Sequence, residues 1–375
     1  MSEQKNDRFL SAIRGSLVGG AIGDALGYPV EFLRWKEIQK EYGPEGIQKY
    51  KLDFEEGAAI ISDDTQMTLF TANGLLFGDT CNMLQKVDYS PAGYVYDAYQ
   101  DWYFCQHSMK LPPHNHSWMS VLPEMHKRRA PGTTCMSALH TGEPGDMDEP
   151  LNFSKGCGGI MRVAPIALWD QGKRPIEEID LLGAKAAALT HGHPLGYMPA
   201  AVLVHLVSRA AFCEHNGENG LYAVAADCRE TMRRLFAENG FLDDLLRIMD
   251  QAEALSRNDK TDVENIHAIG EGWTGEEALG IALYCSLKYQ NDFSKAVIAA
   301  VNHNGDSDST GAITGNIVGA WLGYEAIEEK WLKDLELRRN LLEMADDLYT
   351  GCPKTADEIL RNEKWNGRYG RYCNP

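Results

Sequence analysis

The chain has 375 residues, 44% of them hydrophobic, and a formal net charge of −18. That length suits one large domain or two ordinary ones with an ample core, and the composition excludes wholesale disorder. A surface this acidic repels phosphate backbones, so no nucleic-acid partner is expected, and part of the charge is free to hold cations.

The nine cysteines are scattered, with no CxxC pair and no Cys/His cluster. This leaves a ribbon-type zinc site without support and fits a reducing compartment. The N-terminal stretch MSEQKNDRFLSAIRG lacks the apolar core of a signal peptide. No uncharged run reaches the ~18 residues of a membrane span. The expectation is a soluble, cytoplasmic protein with no membrane partner.

In chain order, residues 8–27 carry apolar side chains at helical spacing, with Gly15, Gly19, Gly23 and Gly27 in one row. Gly311, Gly315, Gly319 and Gly323 form a second row. Glycine inside a helix costs about 1 kcal/mol relative to alanine. Two such rows therefore predict that the two helices pack backbone to backbone, ridge into groove. Pro29, just before Val30-Glu31, ends the first helix. Residues 35–56 read as polar loop or short helices, 94–106 as an aromatic core helix, and 110–150 as a long irregular connection. Ser154–Arg162 is a Gly-rich turn. Residues 179–190 are helical and broken by His191-Gly192-His193-Pro194. A long apolar helix at 199–212 and a charged helical stretch at 216–260 follow. Helices at 273–288 and 293–301 lead to the turn Asn304-Gly305 and the second glycine row, and a last helix falls around 335–349. No strand alternation and no fixed-period repeat is present. The class is all-α: one compact helical domain over residues 8–350 and a polar C-terminal tail, 351–375.

Two stretches share one grammar. Ser62-Asp63-Asp64 and Asp306-x-Asp308-Ser309 each place two carboxylates beside a hydroxyl at the start of an apolar helix. Such residues are preferred N-caps, and they are also hard oxygen ligands suited to Mg²⁺, Ca²⁺ or Mn²⁺. The second stretch copies the first half of an EF-hand loop, but Ile317 stands where that loop needs Glu. Four carboxylates gathered without cations would repel, and some would stay protonated, so two clusters favour a shared site for two divalent cations. Glu31 joins it if the glycine rows pack as predicted; otherwise it is a surface acid. Gly156-Cys157-Gly158-Gly159 is either a tight turn or a phosphate cradle, and it lacks the Gly-Lys-Ser/Thr of a P-loop. His191 is either a helix-end cap or a donor to phosphate. Trp273 is either core or a platform for a base. No GxSxG or distinctive cysteine supports covalent catalysis.

Together, Gly19–Glu31 (GGAIGDALGYPVE), Ser62–Met67 (SDDTQM), Lys155–Pro165 (KGCGGIMRVAP), Thr190-His191 and Gly305–Gly311 (GDSDSTG) resemble, in order, the motifs of ADP-ribosylglycohydrolases. That family includes the dinitrogenase reductase-activating glycohydrolase and the ADP-ribosylarginine and ADP-ribosylserine hydrolases. The resemblance implies a multi-helix orthogonal bundle with a binuclear Mg²⁺ or Mn²⁺ centre that hydrolyses the bond between ADP-ribose and a protein side chain. It implies metal ligands at Ser62, Asp63, Asp64, Asp306, Asp308 and Ser309, with Glu31 over the metals on a flap. It places Gly156, Cys157, Gly158, Gly159, Ile160 and Met161 on the diphosphate and distal ribose, His191 on phosphate, and Trp273 towards adenine. Asp63 or Asp64 is then the expected base, and Glu31 or Asp308 the expected acid. Asn304 stands where many members have glycine, and is expected to take over its positive φ. Ser309, where other members have Thr, resembles the arginine-specific branch. The expected substrate is a mono-ADP-ribosylated protein, most simply an (ADP-ribosyl)arginine, and the product is ADP-ribose. The competing readings are O-linked or free ADP-ribose derivatives, a non-catalytic crystallin-like or ADP-ribose-binding relative, and a two-metal phosphatase.

Overall fold

The glycine rows build the centre of the molecule. A computed structural model describes residues 3–213 and 220–373. In it α1 (Glu3–Gly27) runs antiparallel to the helix that opens at Ser307, and the two backbones touch. A Cβ built on Gly15 would lie 2.2 Å from the Gly319 carbonyl oxygen, one on Gly19 2.5 Å from that of Gly315, and one on Gly23 1.9 Å from that of Gly311. At the two ends the pairing changes partner: Gly27 meets Ser307, and Gly323, at φ +83°, meets Ser11. No side chain fits along this seam, which is why glycine recurs there despite its helix cost.

The helices after α1 are α2 (Trp35–Tyr42), α3 (Asp63–Gln85), α4 (Pro91–Cys105), α5 (Thr133–His140), α6 (Ala164–Asp170), α7 (Ile176–Ala188) and α8 (Pro194–Phe212). Then come α9 (Leu221–Leu235), α10 (Leu242–Ser256), α11 (Asp262–Ile269), α12 (Gly275–Lys288), α13 (Phe293–Val301), α14 (Ser307–Leu322), α15 (Glu329–Leu332), α16 (Arg338–Thr350) and α17 (Ala356–Arg361). No strand occurs among the described residues; the only extended pairings there are isolated bridges, Ala59 to Leu335 and Gly156 to Thr274. The all-α class is therefore as expected. Helix α14 is wrapped by α1, α8, α12 and α13, and α3 lies against α4 and α6.

Several expectations shift in detail. The connection at 110–150 contains α5 and two 3₁₀ turns, Trp118–Val121 and Pro123–His126. Helix α8 restarts directly at Pro194, where a missing N–H costs nothing, and His193 Nδ1 accepts from the Leu195 N–H at 2.9 Å. Of the charged stretch at 216–260, residues 216–219 lie outside the described residues, and the rest forms α9 and α10. Two stretches, Asp7–Val30 and Pro194–Phe212, are long and apolar enough to cross a bilayer by length and composition, but 78% and 89% of their apolar windows are buried inside the fold. They are core helices. Residues 351–373 dock on α3: Trp365 Nε1 donates to Thr80 Oγ1 at 3.0 Å, and Cys373 forms a disulfide with Cys81. The cysteines are thus not all unpaired, as their scatter suggested; the other seven are free.

Candidate active site

Both acid clusters are helix caps. Ser62 Oγ accepts from the Asp64 N–H at 3.2 Å at the start of α3, and Asp306 Oδ1 accepts from the Ser309 N–H at 3.2 Å at the start of α14. The cap reading and the ligand reading are compatible, because each cap uses only part of the oxygen available. Asp64 keeps a buried Oδ2 without a hydrogen-bond partner, as does Glu31 at its Oε2.

The glycine seam brings Glu31 into place. It sets Gly27 against Ser307 and Asp308, a 3₁₀ turn follows over Tyr28–Val30, and Glu31 comes next. Carboxylate oxygens of Glu31, Asp306 and Asp308 all lie within 4.8 Å of one another. Asp63 and Asp64 face the same cavity of about 290 Å³, which is also lined by Phe32, Ala130, Pro131, Gly132, Thr133, Cys157, Gly158, Met161, Trp273 and Ser309.

Among the described residues, no lysine or arginine lines that cavity. Burial first, and then the charges of Asp306 and Asp63, push the Glu31 carboxyl up to about 9. Burial and the charge of Asp24 push Asp63 up to about 8, against the N–H of Gly132. Burial raises Asp64 and Asp308 well above the usual carboxylate range, with their acidic neighbours adding to it. Isolated buried charges are not tolerated in this way. Hard oxygen donors with unpartnered buried atoms and no internal cation fit divalent Mg²⁺ or Mn²⁺ bound from outside.

The residues predicted from sequence separate into two layers. Asp63, Asp64, Asp306, Asp308, Ser309, Glu31, Cys157, Gly158, Met161 and Trp273 line the cavity. Ser62, Gly156, Gly159, Ile160 and His191 stand behind it. Ser62 is fully buried at the start of α3, Ile160 belongs to the core, and Gly159 backs onto the Gly196 carbonyl. The Cys157 thiol donates to Asp306 Oδ2 at 2.6 Å and its N–H to the Trp273 carbonyl at 3.2 Å, which ties the Gly-rich turn to both the acids and the aromatic residue. Trp273 is 37% exposed and stacks on Phe32, itself 70% exposed, with ring centroids 5.7 Å apart. His191 does not cap a helix; the neighbouring His193 does. The Nδ1 of His191 meets Thr190 Oγ1 at 2.8 Å, and burial, then the charge of Arg162, push its pKa down to about 3.

One expectation fails. Asn304 does not adopt a positive φ. The positive angle belongs to Gly305, at +105°, while Asn304 Oδ1 accepts from the Trp35 N–H at 2.7 Å. Asn304 is there to hold the start of α2.

Sequence reading missed the residues that fix Ser62–Asp64. Asp24 of α1 accepts from the N–H of Ser62 at 2.9 Å, the N–H of Thr65 at 3.1 Å and the Thr65 hydroxyl. Gly132 N–H donates to Asp63 Oδ2 at 3.1 Å, and Asp63 N–H donates to the Arg129 carbonyl at 3.0 Å. Arg129 is held by a buried ion pair with Glu336, whose other oxygen accepts from the Ile61 N–H at 3.0 Å. The signal for Asp24 was available: an acid in the middle of an apolar glycine row. The others had none.

The sequence model of the family described as ADP-ribosylglycohydrolase matches residues 5–358. ADP-ribosylhydrolase ARH3 of Bos taurus is 24% identical over 358 residues, covering 88% of this chain and 90% of that one. ADP-ribosyl-[dinitrogen reductase] glycohydrolase of Rhodospirillum rubrum is 25% identical over 329 residues, covering 86% and 90%. A solved ADP-ribosylglycohydrolase-related protein complex shares the fold, with a TM-score of 0.62, 24% identity and coverage of 92% and 99%. The chain belongs to the ADP-ribosylglycohydrolase family, hydrolases that remove ADP-ribose.

Proposed function

We propose that the protein removes mono-ADP-ribose from arginine side chains of other proteins, cleaving the N-glycosidic bond at a centre holding two divalent cations. The observation that carries this reading is the gathering of Glu31, Asp63, Asp64, Asp306 and Asp308 on one cavity that, among the described residues, no lysine or arginine lines. An anionic cavity with the aromatic pair Phe32 and Trp273 at its edge suits a departing guanidinium, which is planar and cationic.

Cations held by Asp63, Asp64, Asp306, Asp308, Glu31 and Ser309 would supply charge neutralisation and Lewis acidity towards the ribose hydroxyls. The residues do the rest. The free Oδ2 of Asp64, or Asp63 oriented by Gly132, takes a proton from water as the water oxygen bonds to the anomeric carbon. The carbon–nitrogen bond breaks through an oxocarbenium-like state. Glu31 or Asp308 hands a proton to the leaving nitrogen. Ser62 and Asp24 keep the base on its helix end.

A second reading is release of O-linked ADP-ribose: relatives named ADP-ribosylhydrolase and ADP-ribosyl-[dinitrogen reductase] glycohydrolase match this chain almost equally, at 24% and 25% identity, so the comparisons favour no one linkage. Incubation with ADP-ribosyl-arginine and ADP-ribosyl-serine peptides, with Mg²⁺ or Mn²⁺ and with EDTA, decides between them. Release from the arginine peptide that stops on chelation is expected. Release from the serine peptide alone would replace the arginine reading, and release that survives complete chelation would remove the metals.

A further inference from the structure

The polar wall of the cavity is built from oxygen donors, with one exception. Cys157 is the only cysteine that lines it among the described residues, and its Sγ lies 2.6 Å from Asp306 Oδ2. The thiol is not needed to hold the turn, because the Cys157 N–H already donates to the Trp273 carbonyl at 3.2 Å. A second sulfur reaches the same place from further along the chain. Met161 also lines the cavity, and Ser309 Oγ meets its Sδ at 3.9 Å. Two sulfur atoms therefore converge on the start of α14. There they face Asp64, which is 2% exposed and keeps a buried Oδ2 without a hydrogen-bond partner.

We propose that Cys157 is a conditional metal ligand: a borderline-soft divalent cation of the zinc class binds at one position of the centre through Cys157 Sγ with Asp306 and Asp64, whereas Mg²⁺ leaves the thiol hydrogen-bonded to Asp306. The proposal rests on the two-cation reading above and goes beyond it, naming the class of cation that this chain's sulfur admits. Softness carries the argument. Carboxylates and hydroxyls suit Mg²⁺, Ca²⁺ and Mn²⁺, while thiolate and thioether donors select zinc and other softer ions. A wall of oxygen donors would not separate the two groups in this way; a thiol among them does.

The spacing allows the exchange. With a metal–sulfur bond of about 2.3 Å and a metal–oxygen bond of about 2.1 Å, two donors on one ion stand roughly 3 to 3.5 Å apart. The Cys157–Asp306 pair would open by about 1 Å or less to admit the ion between them. As the metal–sulfur bond forms from the sulfur lone pair, the S–H bond breaks and its proton leaves to water. Asp306 Oδ2, no longer accepting from the thiol, turns its lone pair to the same ion. No electron is transferred, and no co-reactant is needed.

The test uses the full protein, freed of metal with EDTA and titrated with Co²⁺ as the spectroscopic stand-in for Zn²⁺. A sulfur-to-cobalt charge-transfer band in the near ultraviolet should grow to saturation in the wild type and be absent from Cys157→Ser. It should persist in Cys135→Ser, whose buried thiol does not line the cavity. By calorimetry Cys157→Ser should lose about 10-fold or more in Zn²⁺ affinity, since even groups that only support a ligand are worth that much. Its Mn²⁺ affinity should fall far less, and that retained binding shows that the variant is folded. A wild type that binds Mn²⁺ but gives no band with Co²⁺ refutes the sulfur ligand and leaves the two-cation reading standing. A band that survives in Cys157→Ser, or equal losses of Zn²⁺ and Mn²⁺ affinity, also overturns the proposal. A wild type that binds no divalent cation refutes the centre itself, and this ligand with it.

Discussion

The starts of α3 and α14 carry the same chemical grammar and are held by opposite means. The α14 start is fixed mainly by its own cap and by packing. Asp306 Oδ1 accepts from the Ser309 N–H, and the glycine seam clamps the helix against α1 along its length. The Asp306 N–H to the Glu271 carbonyl and the Cys157 thiol are added ties. The α3 start is fixed from outside, by Asp24 of α1, Gly132 ahead of α5, and Arg129 with Glu336 ahead of α16. One half of the site is thus set by packing and the other by a polar network spread over the chain. Packing at atomic contact leaves no room for adjustment, whereas a hydrogen-bond network can lose one member and keep its shape in part. The two halves should therefore fail differently when perturbed.

The largest effect is expected in the seam. Gly315→Leu places side-chain atoms where a Cβ alone would already lie 2.0 Å from the Gly19 carbonyl oxygen. Neither backbone can retreat without dismantling the core, so the cost should exceed the ~3 kcal/mol usual for overpacking, and Gly19→Leu should behave alike. Circular dichroism should show no cooperative native transition for either. A Gly315→Leu protein that melts like the wild type would mean that the seam is not what sets α14.

Next come the acids themselves. Asp64→Asn and Asp308→Asn should lower turnover at least 100-fold, about 2.7 kcal/mol of barrier, in folded protein. The metal-free fold should respond in the opposite sense and gain stability, because each substitution removes a buried carboxyl that must take up a proton on folding. The pH dependence has the same origin. Asp63 and Glu31 are raised to about 8 and about 9 from ordinary values of 3.8 and 4.5. A carboxyl that holds its proton more tightly when folded contributes its full stability below the ordinary value and loses it as pH rises through the folded one. Metal-free protein should therefore lose stability between roughly pH 4 and pH 9, and saturating Mn²⁺ should restore more of it the higher the pH. A melting temperature that rises with pH in EDTA would contradict the buried-carboxylate account.

Breaking the external network should cost less. Asp24→Asn keeps one acceptor for donors on Ser62 and Thr65 that now share two oxygens. A loss of about 2 kcal/mol is expected from one or two buried hydrogen bonds to a charged group, with weaker Mn²⁺ binding by calorimetry. Burial raises the Asp24 pKa to about 6 from an ordinary 3.8, so the deficit relative to wild type should be largest below roughly pH 4 and shrink as the pH rises through about 6. Unchanged Mn²⁺ affinity would show that Ser62–Asp64 does not need its outside support.

This contrast also separates what the sequence reveals from what it hides. The α14 half is legible because its determinants are local or periodic: a cap, an alternating pair of acids, glycines every fourth residue. Glu31 follows from the same periodicity, since the seam carries the chain to it. The α3 half shows its ligands but not its supports, because hydrogen bonds such as Asp63 N–H to Arg129 or Ile61 N–H to Glu336 leave no pattern in composition. The docking of residues 351–373 is hidden for a similar reason. Cys373 could pair with any of eight other cysteines by sequence, and only the fold brings it to Cys81.

The smallest effects bear on the two hydroxyls, where the halves differ most finely. Ser62 is fully buried and its Oγ caps α3, so Ser62→Ala should cost about 1 kcal/mol of stability, the usual value of an N-cap, and change Mn²⁺ affinity little. Ser309 lines the cavity, and its helix is capped by Asp306 instead. Ser309→Ala should leave the melting temperature almost unchanged and weaken Mn²⁺ binding several-fold, about 1 kcal/mol. The two substitutions remove the same atom from the same motif, so an exchange of their effects would mean that the α3 cluster is the one facing the metals through its hydroxyl. The α14 hydroxyl would then be the structural one.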